Sequence, residues 1–125
     1  MKRRIIIIDD DREMCEELCD ILKDEGWSVR AAYNGLDGLA LVEKNGCDLL
    51  LLDLKMPGLT GEEILRRLSR WRMRPKILIV TARLLNHEAA MEDLTRLPGW
   101  DLVEDVISKP FEIVPLIKKI KALIG

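Results

Sequence analysis

One stretch of sequence decides the fold, CDLLLLDLKMPGLTG at positions 47–61. Its leucines, Leu49–Leu52, run straight into Asp53, and a Pro57-Gly58 turn follows. An unbroken apolar run bounded by turn residues predicts a strand that is buried on both faces. Parallel α/β sheets carry their chemistry at the C-terminal ends of such strands. Asp53 is therefore the first candidate for a functional residue; the alternative is an aspartate that only ends the strand and opens the turn.

A second strand pattern also ends in acids. The isoleucines of Ile5–Ile8 are followed by Asp9, Asp10 and Asp11. Two acidic strand ends in one small domain predict a carboxylate cluster, and clustered carboxylates repel one another unless a hard cation such as Mg²⁺ holds them ionised. Asp11 is the exception, because its position before a helical pattern favours a helix cap over a metal ligand.

Length and composition predict one domain that spans residues 1–125, with 48% hydrophobic residues available for its core. A net charge of −2 gives no general attraction to nucleic acid or to anionic lipid, so neither is expected as a direct partner. The cysteines Cys15, Cys19 and Cys47 cannot all pair and form no CxxC motif, which favours a reducing compartment. No run reaches the roughly 18 apolar residues of a membrane span, and a cytoplasmic location is expected.

Strand and helix patterns alternate five times along the chain. The strands are expected near 2–8, 27–32 (a candidate edge strand), 47–52, 76–81 and 105–108. The helices are marked by apolar stripes: Met14, Leu18, Ile21 and Leu22; Leu36, Leu39, Ala40 and Val42; Ile64, Leu65, Leu68 and Trp71; a helix from near His87 to Leu94; and Val114, Ile117, Ile120 and Leu123. This alternation predicts a doubly wound, five-stranded parallel sheet with five helices on its two faces.

Each predicted strand end next to the switch point holds a charged or reactive residue: Asp9-Asp10, Asp53, Thr81 and Lys109. At these residues the chain resembles the receiver domain of two-component response regulators, over nearly its whole length. The resemblance is carried by Ile8-Asp9-Asp10, by Asp53 within Leu-Asp-Leu-Lys-Met-Pro-Gly-Leu-Thr-Gly, by Thr81-Ala82 and by Lys109-Pro110-Phe111. It implies the flavodoxin-like strand order 2-1-3-4-5 and a cis Lys109-Pro110 peptide.

The resemblance also implies a phosphorylation-activated signalling switch. Asp53 would accept a phosphoryl group from a sensor histidine kinase, a phosphotransfer protein or a small phosphodonor, in a Mg²⁺-dependent reaction. The implied metal site is Asp10, Asp53 and the main-chain carbonyl of Lys55, with Asp9 acting through water, and the implied phosphoryl contacts are Thr81, Ala82 and Lys109. Such a domain is not an enzyme in the usual sense, although it catalyses its own phosphoryl transfer and dephosphorylation.

Elementary electrostatics supports this set of residues. A carboxylate that attacks a phosphoryl group brings negative charge to negative charge, so a metal and a lysine are needed to neutralise oxygens in the transition state. Simpler interpretations remain: Lys109 would form a salt bridge to the acids, and Thr81 would be the last β-branched residue of its strand. In the unphosphorylated state the lysine's simple and functional roles are the same contact.

The sequence departs from the receiver pattern in one switch element. Receivers usually carry Tyr or Phe three residues before the lysine, and this chain has Val106. The span from Thr81 to Lys109 is also longer than usual, with the extra residues around 96–101. These positions adjoin the face formed by the fourth helix, the fifth strand and the fifth helix. In receivers this face commonly contacts the output partner, and it is also a candidate dimer interface. Trp100 is expected either to form partner surface there, to replace the switch aromatic, or simply to pack in the longer loop.

Basic residues follow both Asp53 and Thr81. Lys55 and Arg83 lie two positions beyond them. In receivers, the residues at these positions flank the route of the water that hydrolyses the phosphoryl group. We expect both to modulate the lifetime of the phosphoryl group, unless their long side chains simply reach solvent. His87, the single histidine, is expected to be an exposed helical residue.

Two other classes of function compete with a phosphorylated switch. A haloacid dehalogenase-type phosphohydrolase uses similar groups but needs an acid two residues after the nucleophile, where this chain has Lys55. A pseudo-receiver, which binds partners without phosphorylation, is favoured by Val106 and disfavoured by Asp10, Asp53, Thr81 and Lys109. The extent of the chain is compatible with a single-domain regulator and with a receiver cut from a longer regulator or hybrid kinase, and the output partner is unknown.

Overall fold

The computed structural model describes residues 2–72, 74–82 and 87–125. Its five parallel strands pair in the order β2-β1-β3-β4-β5, as predicted: β1 (Arg4–Ile8), β2 (Ser28–Ala32), β3 (Leu49–Leu52), β4 (Lys76–Thr81) and β5 (Val103–Ser108). The connecting helices are α1 (Arg12–Asp24), α2 (Gly35–Asn45), α3 (Gly61–Leu68), α4 (His87–Thr95) and α5 (Ile113–Ile124). A 3₁₀ turn, Trp100–Leu102, precedes β5.

Strand register aligns the residues that the sequence predicts to be functional. Ile8 pairs with Leu52 across β1 and β3, and the Asp53 N–H donates to the Ile8 carbonyl at 3.0 Å. Thr81 pairs with Ser108 across β4 and β5, and the Lys109 N–H donates to the Thr81 carbonyl at 2.8 Å. The C-terminal ends of β1, β3, β4 and β5 therefore meet at one edge of the sheet.

The core has two parts, one on each face of the sheet, because successive strand side chains point in opposite directions. On one face, Ile5, Ile7 and Leu51 pack with residues of α1 and α5. On the other face, Ile6 and Leu52 pack with residues of α2, α3 and α4. The four leucines of β3 are all buried, which confirms the interpretation of the leucine run as a central strand.

Side-chain caps begin three of the helices. The Asp11 carboxylate accepts from the Met14 N–H at 3.1 Å, as predicted for a cap, and Asn34 and Thr60 cap α2 and α3 in the same way. Each cap satisfies a backbone donor that the first helical turn leaves without a partner.

The predicted inward face of α2 is partly wrong. Leu36 is 68% exposed and Ala40 is also exposed. The buried face is Gly35, Gly38, Leu39 and Val42. The helix lies so close to the sheet that a Cβ at Gly38 would meet the Ile8 side chain at 2.6 Å. A hydrophobic pattern does not count glycine, so the closest part of the contact was missed.

The predicted face of α5 is largely confirmed, because Ile120 is buried and Ile117 and Leu123 pack against the core. Val114 is the exception, at 61% exposed, and Leu116 and Ile124 are buried although the predicted stripe omitted them. Pro115 lies in the first turn, where a missing N–H costs least. None of the helices in the described residues combines the length and the apolar composition needed to cross a membrane.

Candidate functional site

Three acids come together at the C-terminal edge of the sheet. Asp9 and Asp53 follow β1 and β3 and are buried, with 1% and 5% of their surface exposed, and Asp10 is exposed beside them. One carboxylate oxygen from each lies within 4.8 Å of the other two. The register of β1 on β3 produces this cluster, since it aligns the two strand ends.

Lys109 inserts its ammonium group between two of these acids. Its Nζ lies 2.5 Å from Asp9 Oδ2 and 3.8 Å from Asp53 Oδ2, and only 16% of its side chain is exposed. The lysine follows β5 and precedes Pro110 through a cis peptide bond, as the resemblance implies. The shorter distance to Asp9 makes that carboxylate the lysine's main partner in this state.

Burial and charge shift the pKa values of the site. Burial, followed by the charge of Asp9, raises the pKa of Asp53, and Lys109 and the Lys55 N–H oppose that shift only in part. Burial acts to lower the pKa of Lys109, but the hydrogen bond and charge of Asp9, with the charge of Asp53, outweigh it and raise that pKa. If all three carboxylates are ionised, they and the one ammonium group carry a net charge of −2, which a divalent cation would neutralise.

The remaining predicted residues surround the acids. Thr81 ends β4, 3% exposed, and Ala82 follows it with an exposed position. The Lys55 N–H donates to Asp53 Oδ1 at 3.3 Å, while the Lys55 side chain is exposed. Arg83 lies outside the described residues, and so does the side chain of His87.

Gly61 is a structural residue of the site that the sequence reasoning missed. Its N–H donates to the Leu54 carbonyl at 3.1 Å, which joins the start of α3 to the turn after β3. A Cβ there would lie 2.3 Å from the Asp53 carbonyl oxygen. Glycine therefore permits the close backbone approach that holds the Asp53 turn. A signal was present in the sequence: Thr60-Gly61 follows the Pro57-Gly58 turn at a helix start.

Val106, in β5, and Trp100, just before that strand, belong to the same apolar cluster. Both are half-buried and pack against the core cluster that contains Leu65 and Leu94. Trp100 begins the 3₁₀ turn, and its N–H donates to the Leu97 carbonyl at 3.1 Å. Packing buries part of the Trp100 indole and leaves the rest exposed to solvent.

Comparisons with known proteins identify the family of this chain. The family model "Response regulator receiver domain" matches residues 5–121. The uncharacterized transcriptional regulatory protein YkoG of Bacillus subtilis is 35% identical over 122 residues, 97% of this chain and 50% of that protein. The regulatory protein VanRc of Enterococcus gallinarum is 30% identical over 122 residues, 97% of this chain and 49% of that protein. The chain thus spans about half the length of these curated relatives.

Solved structures give the same result. A response regulator receiver domain from Bermanella marisrubri has a TM-score of 0.80 at 29% identity and covers all of both chains. The response regulator TrrA from Thermotoga maritima, solved with Mg²⁺ and BeF, has a TM-score of 0.80 at 30% identity, over 99% of this chain and 100% of that one. With the acid cluster, the strand order and the family match all in agreement, the chain belongs to the response regulator receiver domain family.

Proposed function

We propose that residues 1–125 form one receiver domain that works as a phosphorylation-activated signalling switch, with Asp53 as the phosphoryl acceptor. Receiver domains of response regulators are signalling domains that interact with histidine kinases and output domains. The observation that carries the proposal is the cluster of Asp9, Asp10 and Asp53, with Lys109 in contact with two of its members. A sensor histidine kinase, or a phosphotransfer protein, is the proposed donor.

In the proposed reaction, a carboxylate oxygen of Asp53 attacks phosphorus. The new bond joins that oxygen to phosphorus, and the bond from phosphorus to the donor's imidazole nitrogen breaks, with its electron pair leaving on the imidazole. Lys109 is already 3.8 Å from Asp53 Oδ2, close enough to turn its ammonium group from Asp9 to a phosphoryl oxygen. The Thr81 hydroxyl and the Ala82 N–H are proposed to donate to the other oxygens.

The donor atoms at the site fit a hard cation, because they are all oxygen. Asp10, Asp53 and the main-chain carbonyl of Lys55 are proposed to hold Mg²⁺, with Asp9 contributing through water. When bound, the ion would neutralise negative charge on the phosphoryl oxygens. Receiver domains bind Mg²⁺ at an acidic pocket of this kind.

A groove beside the acid cluster is the proposed seat of the phosphodonor. It has a volume of about 530 Å³ and is lined by the α1 residues Met14, Leu18 and Ile21 and by Phe111 and Ile113 after β5. Asp11, Ala82 and Lys109 also line it, so the groove is continuous with the site. A donor helix seated here would bring its histidine to the edge of the sheet where Asp53 lies.

The output surface is proposed to be the face of α4, β5 and α5, which would also carry any dimer contact. Val106 lacks the ring that usually couples the threonine to this face, and Trp100 packs nearby with part of its indole exposed. Trp100 is proposed to form part of the partner surface. Activation-dependent association that is unchanged in Trp100→Ala would contradict this role and leave the residue as packing in a longer loop.

Intact-mass spectrometry tests the main proposal. Incubation with Mg²⁺ and acetyl phosphate should add one phosphoryl group to the protein. An Asp53→Asn variant and a chelator control should both lack the adduct. The adduct should decay at a different rate in Lys55→Ala or Arg83→Ala, if these residues modulate phosphoryl lifetime. We also propose a cytoplasmic location, where sensor kinases present their phosphorylated histidine.

Val106 supports a second candidate, a pseudo-receiver that binds its partner without phosphorylation. The two candidates differ in the mass experiment: the absence of any adduct, together with no change in tryptophan fluorescence when beryllofluoride and Mg²⁺ are added, would favour the pseudo-receiver. A dehalogenase-type hydrolase is disfavoured because the position two residues after Asp53 holds the exposed Lys55.

A further inference from the structure

A large cleft lies at the opposite edge of the sheet from Asp53. It has a volume of about 770 Å³ and opens where β1 and β4 begin, beside the end of α5. Four described residues between α3 and β4 also line it, Trp71, Arg72, Arg74 and Pro75. Its location separates it from the carboxylate cluster, since parallel strands present their two ends at opposite edges.

The lining of this cleft is strongly cationic. Five basic residues line it against a single acid, Asp48, although the whole chain carries a net charge of −2. The basic residues are Arg3, Arg4, Arg72, Arg74 and Lys76. They come from two stretches of the chain, residues 3–4 and 72–76, that only the fold brings together. Such a concentration of one sign of charge in a concave surface attracts anions.

Two of these cations are held in place by neutral groups. Arg4 Nη1 donates to the Asn45 carbonyl at 2.5 Å, and Lys76 Nζ donates to the Leu123 carbonyl at 2.7 Å. Both carbonyls belong to the last turn of a helix, where a basic side chain is favourable. The bonds orient the side chains, and among the residues that the structure describes neither Arg4 nor Lys76 forms an ion pair with an acid.

The acids near the cleft cancel little of the remaining charge. Arg3 approaches Asp48 only to 4.0 Å, and Arg74 approaches Asp101 to 3.7 Å. Both pairs involve a largely exposed side chain, and such pairs contribute little stability. An incoming phosphate could therefore compete for these guanidinium groups at small cost, and arginine binds phosphate oxygens in a bidentate geometry.

One wall of the cleft is apolar. The half-buried Trp71 lines the cleft, as do Pro75 and Ile124. A flat ring system can stack on an indole, and a cleft of this volume suits a molecule of nucleotide size. We propose that this cleft is a binding site for a nucleoside triphosphate, with its phosphates on the arginines and its base on Trp71. The site is independent of phosphorylation at Asp53.

Solution NMR with ATP as the probe, without divalent cations, tests the proposal. Residues around the cleft, including the Trp71 indole N–H and the amides of Cys47 and Lys76, should show saturable shifts, and those of Asp10 and Asp53 should not. The Trp71 indole signal is assigned by its loss in Trp71→Phe. The double variant Arg72→Gln/Arg74→Gln should weaken binding by at least about tenfold, since it removes charge-assisted hydrogen bonds. Arg72→Gln alone should weaken it by a smaller factor.

The matched control is Arg67→Gln/Arg70→Gln, which removes the same charge from exposed arginines outside the cleft. Its affinity for ATP should stay within about twofold of that of the unchanged chain. Equal weakening of ATP binding in both double variants would show that ATP is attracted only by the overall positive charge, and it would overturn the proposal. Shifts that do not saturate, or that centre on Asp53, would also overturn it. Inorganic tripolyphosphate should bind more weakly than ATP; equal affinity would overturn the stacking of the base on Trp71.

Discussion

The ammonium group of Lys109 lies 2.5 Å from the carboxylate of Asp9, although 100 residues separate the two along the chain. The contact joins the end of β5 to the end of β1, across β3 and β4. Asp9 is the lysine's main partner in this state. Its Oδ2 atom lies 2.5 Å from Lys109 Nζ, whereas Asp53 Oδ2 lies 3.8 Å from the same atom, 1.3 Å farther. A phosphoryl group on Asp53, as proposed, would therefore compete with the Asp9 carboxylate for the Lys109 ammonium group.

Removing the lysine charge should destabilise the metal-free protein. In Lys109→Gln, buried Asp9 loses its ion-pair partner, and we expect the free energy of unfolding to fall by about 2 kcal/mol or more. Urea unfolding in a chelating buffer measures this change. Lys119→Gln is the matched control, since it breaks an ion pair with Asp105 whose two side chains are 40% and 44% exposed; it should cost less than about 1 kcal/mol. Equal losses in both variants would contradict a special role for the buried pair.

Mg²⁺ should stabilise the protein through Asp10 and not through Asp11. A free Mg²⁺ concentration ten times its dissociation constant should raise the free energy of unfolding by about 1.4 kcal/mol, which corresponds to a rise in Tm of roughly 5 °C. Asp10→Asn should lose most of this rise. Asp11→Asn carries the same charge change at the neighbouring position and keeps a good helix cap, so its response to Mg²⁺ should match that of the unchanged protein. Thermal unfolding with and without Mg²⁺ measures both, and an equal loss in the two variants would contradict the proposed ligand set.

Gly61→Ala should disturb the turn that holds Asp53. The new Cβ would meet the Asp53 carbonyl oxygen and the Leu54 Cα, which are backbone atoms with little freedom to move. We expect a loss of about 2–3 kcal/mol in unfolding free energy and slower phosphorylation by acetyl phosphate. Gly26→Ala is the comparison, because that glycine has a φ of +103° and open space around it; only backbone strain of about 1 kcal/mol should appear there. A cost at Gly61 no larger than that at Gly26 would contradict the close-approach argument.

The Cys47 thiol should be unreactive at neutral pH. Burial, with a smaller contribution from the Asp48 charge, raises the pKa of Cys47 to about 12. At pH 8 its thiolate fraction is then about 10⁻⁴, whereas an ordinary thiol is ionised to the extent of about a tenth or more. Alkylation of the folded protein should therefore be far slower than that of the urea-unfolded chain, as measured by mass spectrometry of the Cys47 peptide.

The pH dependence of the same reaction has a defined sign. Because the thiol pKa is higher in the folded state than in the unfolded state, the labelling rate of the folded protein should still rise about tenfold per pH unit between pH 8 and 10. The unfolded chain loses this proton at lower pH, so the thiol's contribution to stability should decline as the pH rises above about 9. A folded-state labelling rate that levels off near pH 9 would contradict the raised pKa.

Much of this structure follows from local sequence patterns. The leucine run before Asp53 identified a buried central strand, and the isoleucine run before Asp9 identified its neighbour, because continuous apolar runs are stable as strands only where both faces are covered. Helix starts were equally readable, since a cap such as Asp11 acts through bonds to residues three positions away. The alternation of elements then led to the parallel sheet and placed the acids at one edge.

Tertiary packing decided what local patterns left open. The apolar residues of α5 cover more than one face, and contact with the sheet buried Leu116 beside the predicted Ile120 and left Val114 exposed. The role of Gly61 depends on a 2.3 Å approach to backbone that no periodicity encodes. The cationic cleft likewise exists only because β1, β4 and the loop after α3 converge. Hydrophobic periodicity indicates which face of a helix or strand is exposed to solvent. Distances between residues far apart in sequence depend instead on how the surfaces of whole helices and strands pack together.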